Sequence, residues 1–238
     1  MSPIVSMLIP AIVASLGGLL ALVWNPTHNT RSLIQHFAAG VVLAALAIEV
    51  LPEIGREHAH WWVLMGSFAI GTIFMYILKL WSIGMEEKSK HGSTMIGLNY
   101  GLIAAIFIDV TMDGFIIGAG FAAGGETGLV LALGLSVELL FLGLSLVSDT
   151  IKGWRIVTMS VALATVVLGA SLLGYFLLNG ASKDVISAIL AFGVAALLYL
   201  VTEELLVEAH TVEEKPSSTL WLFAGFLIFW GISLASVV

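Results

Sequence analysis

The stretch Ile108-Asp109-Val110-Thr111-Met112-Asp113-Gly114-Phe115-Ile116-Ile117-Gly118 sets two carboxylates four residues apart inside a long apolar run. On a helix, that spacing puts both side chains on one face, one turn apart. If the run crosses a bilayer, Asp109 and Asp113 lie near its midplane, where each ionised group costs about 2.5–3.5 kcal/mol on insertion scales. Something must offset that cost, and a divalent cation is the simplest candidate.

Composition argues for the bilayer. Of 238 residues, 59% are hydrophobic and 11% charged, with a mean hydropathy of +1.07; a soluble domain carries about 25% charged residues. Eight apolar runs separate at polar breaks, approximately 3–24, 31–52, 61–83, 94–120, 127–149, 155–178, 184–207 and 218–238. Each is long enough to cross about 30 Å of hydrocarbon at 1.5 Å per residue. No break is long enough to divide the chain, so the expected fold is all-α: one transmembrane domain over 1–238. Cysteine is absent, which removes disulfides, thiolate ligands and thiol nucleophiles together. The nine Lys+Arg are scattered rather than patched, so nucleic acid is not an expected partner. No Lys or Arg precedes Arg31, so residues 1–24 lack the basic start of a signal peptide and read as a retained span.

An even number of spans puts both termini on one side. Arg31, Lys79, Lys88, Lys90, Lys152, Arg155 and Lys215 flank the first, third, fifth and seventh breaks, whereas Arg56 and Lys183 alone flank the others. The positive-inside bias therefore predicts a multi-pass protein of the cell (inner or plasma) membrane with both termini outside. The second run ends Glu49-Val50-Leu51-Pro52-Glu53 and the seventh Glu204-Leu205-Leu206-Val207-Glu208, after Ala38-Ala39-Gly40-Val41 and Ala191-Phe192-Gly193-Val194. The Gly-to-Glu spacing differs by two residues, but the runs cross in opposite directions, as the arms of an inverted repeat do.

Glu138 stands near the centre of the fifth run, across a short break at Gly124-Gly125-Glu126 from Asp109 and Asp113. A hairpin there brings three carboxylates to one depth. Without a cation they repel and at least one keeps its proton; with a divalent ion all three can ionise and supply hard oxygen ligands. One acid alone is readily a protonated packing residue; three at one depth are harder to explain so. Met112 shares the face of Asp109, where its thioether could touch a soft ion, although a Met at helical spacing is more often packing. Glu49, Glu203 and Glu204, a turn or two inside their helix ends, are candidate entry and exit carboxylates. Asp149 shares a stripe with Glu138 and Ser145 and is a fourth, with pairing to Lys152 as the plainer reading. The six histidines lie in or beside breaks, and Glu57, His58 and His60 read most simply as a solvated loop.

These residues resemble the ZIP (Zrt/Irt-like) family of divalent-metal transporters, as a divergent prokaryotic-type member. The family carries His-Asn-x-Pro-Glu-Gly in its fourth helix; here Asp109-Val110-Thr111-Met112-Asp113-Gly114 fills that slot, followed by Ile117-Gly118-Ala119-Gly120-Phe121. Ser136-Val137-Glu138-Leu139 is similar to a remnant of the acidic segment in the fifth helix, and the Gly40–Glu53 stretch to a segment of the second. The resemblance covers the whole chain. It implies eight helices in a 3+2+3 arrangement with inverted repeats and no enzyme activity. No prosthetic group is implied, and a divalent metal ion is the substrate. The departures are specific: Asp109 replaces the metal-binding His, Val110 the Asn and Met112 the Pro. The sixth run holds no acid, so a second metal is not expected, and the His-rich loop shrinks to 84–93 with His91 alone. An imidazole-free set of oxygen donors leans toward Mn²⁺ or Fe²⁺, with Mg²⁺ also open, rather than Zn²⁺.

The expected function is thus a permease moving Zn/Mn/Fe-type divalent ions through a midplane site of Asp109, Asp113 and Glu138. Alternatives are a proton-coupled or other cation carrier, or a non-transporting membrane scaffold or sensor of the same fold. An intramembrane metalloprotease is disfavoured because no His-Glu-x-x-His occurs. Expected partners are divalent metal ions and the lipid bilayer, with a homodimer left open. Because the chain lacks cysteine, single cysteines at Ser2 and Ser89 test the topology on intact cells. An impermeant thiol reagent should label Ser2→Cys and spare Ser89→Cys; the reverse pattern would invert the orientation.

Overall fold

In hydrocarbon no water is present to satisfy a free N–H or C=O, so an isolated span must bond its backbone within itself, as a helix does. In the computed structural model, which describes residues 2–24, 26–56, 59–91, 100–145, 153–210 and 217–236, every long apolar run is helical, and no strand occurs among the described residues. We number the helices α1 (Pro3–Val23), α2 (His28–Arg56), α3 (Trp61–His91), α4 (Tyr100–Ala123), α5 (Gly125–Ser145), α6 (Trp154–Leu178), α7 (Lys183–Leu205, with a last turn Leu206–Ala209) and α8 (Ser218–Ser236). Among the described residues, eight helices are long and apolar enough to cross a membrane.

Several boundaries differ from the hydropathy reading. α2 begins at His28 rather than 31, because Thr27 Oγ1 accepts the Thr30 N–H (3.3 Å) and caps the first turn. α3 runs past 83 to His91 through a Glu- and Lys-rich stretch of good helix formers. The expected break at 124–126 contracts to Gly124 alone: α4 extends to Ala123 and α5 begins at Gly125. Residues 94–99 of the fourth run, 146–149 of the fifth and 237–238 of the eighth lie outside the described residues.

Two helices carry a feature that hydropathy does not signal. α2 widens into a π turn over Leu46–Val50, and α7 does the same over Val201–Leu205. Glu49 occupies the fourth position of the first turn and Glu204 the fourth of the second. Such turns shift the register of the following side chains and occur often at functional sites.

The most extensive packing joins α4 to α6, α2 to α8, α1 to α5, α3 to α7 and α1 to α6; α5 also meets α4 and α2, and α4 meets α7. Buried residues make up 72% of the apolar window of α5 but 11% of that of α3, so α5 is central and α3 peripheral. Small residues permit the closest crossings. A Cβ at Gly118 would collide with the Ser171 carbonyl of α6, and one at Gly174 would lie 2.7 Å from the Phe115 carbonyl of α4. Gly40 and Gly193, the candidate repeat partners, make different contacts: Gly40 seats on Leu222 of α8 and Gly193 on Ile116 of α4.

The helices alternate in direction. At one end, Ser32 Oγ donates to the Ala209 carbonyl (2.8 Å) and Lys79 meets Glu203. At the other, His60 lies 3.8 Å from Asp184, and Pro3, Glu126 and Ser233 line one cavity. We expect Gly118→Ala to destabilise the folded protein by about 1–3 kcal/mol through overpacking at the α4–α6 crossing. Gly169→Ala, on the same α6 with open space around it, should be neutral or slightly stabilising. Thermal melts of both variants in detergent check this, and equal melting temperatures would refute the close-crossing account.

Candidate metal centre

The hairpin of α4 and α5 positions the acids. Gly124 N–H donates to the Gly120 carbonyl (2.9 Å) and Gly128 N–H to the Gly124 carbonyl (3.0 Å), so hydrogen bonding runs almost unbroken through the reversal. Gly128 lies directly against Phe121, with no room for a side chain. So tight a turn leaves Asp109 and Asp113, before it, level with Glu138 after it.

One carboxylate oxygen from each of Asp109, Asp113 and Glu138 lies within 4.8 Å of the other two. Asp113 is 2% exposed and Glu138 4%, while Asp109 is half-buried. Asp113 Oδ2 and Glu138 Oε2 are buried without a hydrogen-bond partner. The nearby hydroxyls serve their own helices instead: Thr111 Oγ1 donates to Phe107 O (2.6 Å) and Ser136 Oγ to Ala132 O (2.5 Å). The three acids repel one another, and Glu204 of α7 adds its charge to the same field. Three converging oxygen donors, two of them with an orphaned buried oxygen, are a fitting environment for a hard or borderline divalent cation.

One cavity reaches the acids from the side. A cavity of about 240 Å³ is lined by Asp109 and Glu204 together with Leu78, Lys79, Ser82 and Leu142, and leads toward the end that carries the Lys79–Glu203 pair. Toward the opposite end, Val42, Leu46, Leu131, Leu135 and Leu197 enclose no volume that a water could enter.

The structure brings together Asp109, Asp113 and Glu138, and sets Glu204 with Asp109 on the wall of one cavity. It separates the other candidates. Met112 is half-buried on α4. Glu203 turns away to Lys79, with Nζ 2.5 Å from Oε2. Glu49, near the opposite end, accepts a hydrogen bond from Ser233 Oγ (2.6 Å). Asp149, Lys152, Glu57 and His58 lie outside the described residues. His36 corrects the reading of the histidines as break residues: it is 3% exposed, its Nδ1 is 2.8 Å from the Ser32 carbonyl, and its ring stands edge-on to that of His210 at 5.3 Å. The sequence reasoning missed Lys79 as the partner of Glu203 and the approach of Glu204 to the acids; a lone lysine within an apolar run was the available signal for the first.

Neutral isosteres test whether the acids are held together against their own repulsion. In metal-free buffer, Asp113→Asn and Glu138→Gln should each raise the melting temperature, since each removes a buried charge from a crowded site. Unchanged or lower melting temperatures for both would mean that the carboxylates are not under electrostatic strain. No protein-family model matches the chain, and no curated protein matches it either.

Proposed function

We propose that the protein is a ZIP-like permease that moves divalent transition-metal ions across a membrane, with Asp109, Asp113 and Glu138 as the ligands of the transported ion. The observation that carries this is the convergence of three carboxylates in an apolar interior, two of them with buried oxygens that bond to nothing. Isolated charges so placed are strongly disfavoured, whereas a +2 ion neutralises most of their charge and occupies their lone pairs. The cavity beside Asp109 and Glu204 provides a route to one face.

The packing favours the 3+2+3 arrangement with inverted repeats. Exchange α1 with α6, α2 with α7, α3 with α8 and α4 with α5, and each major helix pair maps onto another or onto itself: α4–α6 onto α5–α1, α2–α8 onto α7–α3, and α4–α7 onto α5–α2. Individual contacts follow the same exchange. Gly143 of α5 abuts Ala14 and Gly17 of α1, as Gly114 of α4 abuts Val167 and Ala170 of α6. In that register Glu138 corresponds to Asp109, so the site lies on the pseudo-twofold axis, as in carriers that alternate access around a midplane site. The lysine and arginine bias orients the cavity toward the cytoplasm and both termini outward.

Uptake of Mn²⁺, Fe²⁺ and Zn²⁺ into proteoliposomes tests the reading. Asp113→Ala and Glu138→Ala should abolish transport and metal-dependent stabilisation while leaving the helices folded. Asp109→His should shift preference toward Zn²⁺, because imidazole suits zinc while a carboxylate also serves harder ions. Wild-type affinity should weaken as pH falls, since protons and metal compete for the same oxygens. Proton uptake without any metal flux would favour the proton-carrier alternative; neither flux would favour the scaffold.

A further inference from the structure

We propose that Lys79 is a tethered cation that competes with the transported ion for the carboxylates at the cavity mouth, weakening retention on that side and so speeding release. This rests on the permease reading above.

Lys79 lines the same cavity as Asp109 and Glu204. Its ammonium donates to Glu203 Oε2 (2.5 Å) and to the Glu203 carbonyl (3.2 Å), and lies 5.7 Å from the centre of the Tyr199 ring. The charge is therefore held on the wall of the route and tied to the π turn that bears Glu204. Lys79 is thus fixed beside a cavity that, on the permease reading, a +2 ion crosses.

The opposite end of the molecule supplies the comparison. Aligning the π turn Leu46–Val50 with Val201–Leu205 sets Glu49 against Glu204 and Phe37 against Phe192. Gly225 of α8 seats on the Phe37 carbonyl, as Gly71 of α3 seats on the Phe192 carbonyl. Ser233 follows Gly225 by the same eight residues that separate Lys79 from Gly71. Ser233 and Lys79 are thus equivalent in position, and each holds a glutamate of its π turn. A neutral hydroxyl suffices for that bracing at one end, so bracing alone does not account for a full positive charge at the other. A like charge on the cavity wall raises the energy of a bound divalent ion and leaves a water-filled exit comparatively favourable. Lys79 also neutralises Glu203, which would otherwise add a carboxylate to the mouth.

The experiment measures Mn²⁺ affinity at equilibrium and Mn²⁺ release after mixing with excess chelator, using the full chain in nanodiscs. Lys79→Gln should bind Mn²⁺ about tenfold more tightly and release it more slowly, the scale expected when one nearby like charge is removed. Lys79→Arg, which keeps the charge, should match wild type. Lys79→Ser, which copies the arrangement at Ser233, should behave like Lys79→Gln and covers a glutamine that disturbs packing. Unchanged affinity and release in both neutral variants overturns the proposal, as does weaker binding in both, which would make Lys79 a brace for the π turn. Wild-type protein that binds no Mn²⁺ defeats the permease reading and this role with it; wild-type binding with unaltered neutral variants defeats this role alone.

Discussion

Like charges crowded into an apolar interior govern this structure. Asp113 and Glu138 are almost fully buried, Asp109 is close by, and Lys79, which lines the cavity beside Asp109, is tied to Glu203. The bundle must hold them together against their repulsion, which demands a rigid frame. That frame is a hairpin reversing at one glycine, with α4 pressed on α6 and α5 on α1 through residues too small to keep the helices apart. A looser core would let the acids spread toward water and lose the convergent donor set. The same crowding that is unfavourable for an empty site is what makes a divalent ion a fitting occupant.

Around that centre, the two π turns arrange further carboxylates in matched positions on α2 and α7. Their environments differ. Glu49 is held by Ser233 beyond an apolar seal, whereas Glu204 stands on the open cavity and its neighbour Glu203 is held by Lys79. On the proposed reading, the cavity at the lysine-bearing end reaches Asp109, while the contact of Val42, Leu46, Leu131, Leu135 and Leu197 on the other side holds no water.

Much of the fold was legible because hydropathy is a one-dimensional signal and the spans are separated by short polar breaks. The site was legible for a related reason: a carboxylate near the middle of an apolar run is conspicuous, and Asp109, Asp113 and Glu138 all stand there. What escaped depends on three-dimensional register. A π turn adds a residue without altering composition, so Leu46–Val50 and Val201–Leu205 read as ordinary helix; pairing Glu49 with Glu204 matches the register of the two turns, whereas pairing Gly40 with Gly193 is two residues out of it. The break at 124–126 looked longer than it is because Gly125 and Glu126 are polar or small, yet the helix hydrogen bonds pass almost through them. Lys79 was read as topogenic charge alone, since its partner lies 124 positions away. His36 looked like a loop residue by position but is buried where the start of α2 meets the end of α7.

The central claim is that one divalent ion is held between α4 and α5 by all three acids. Anomalous diffraction from crystals grown with Mn²⁺ tests it most directly. The account predicts a single strong anomalous peak with an oxygen of each of Asp109, Asp113 and Glu138 within about 2.0–2.6 Å, the range of hard-cation ligation. Well-ordered crystals with no peak there, or with manganese bound elsewhere and the three carboxylates bridged by water or protons, would contradict it.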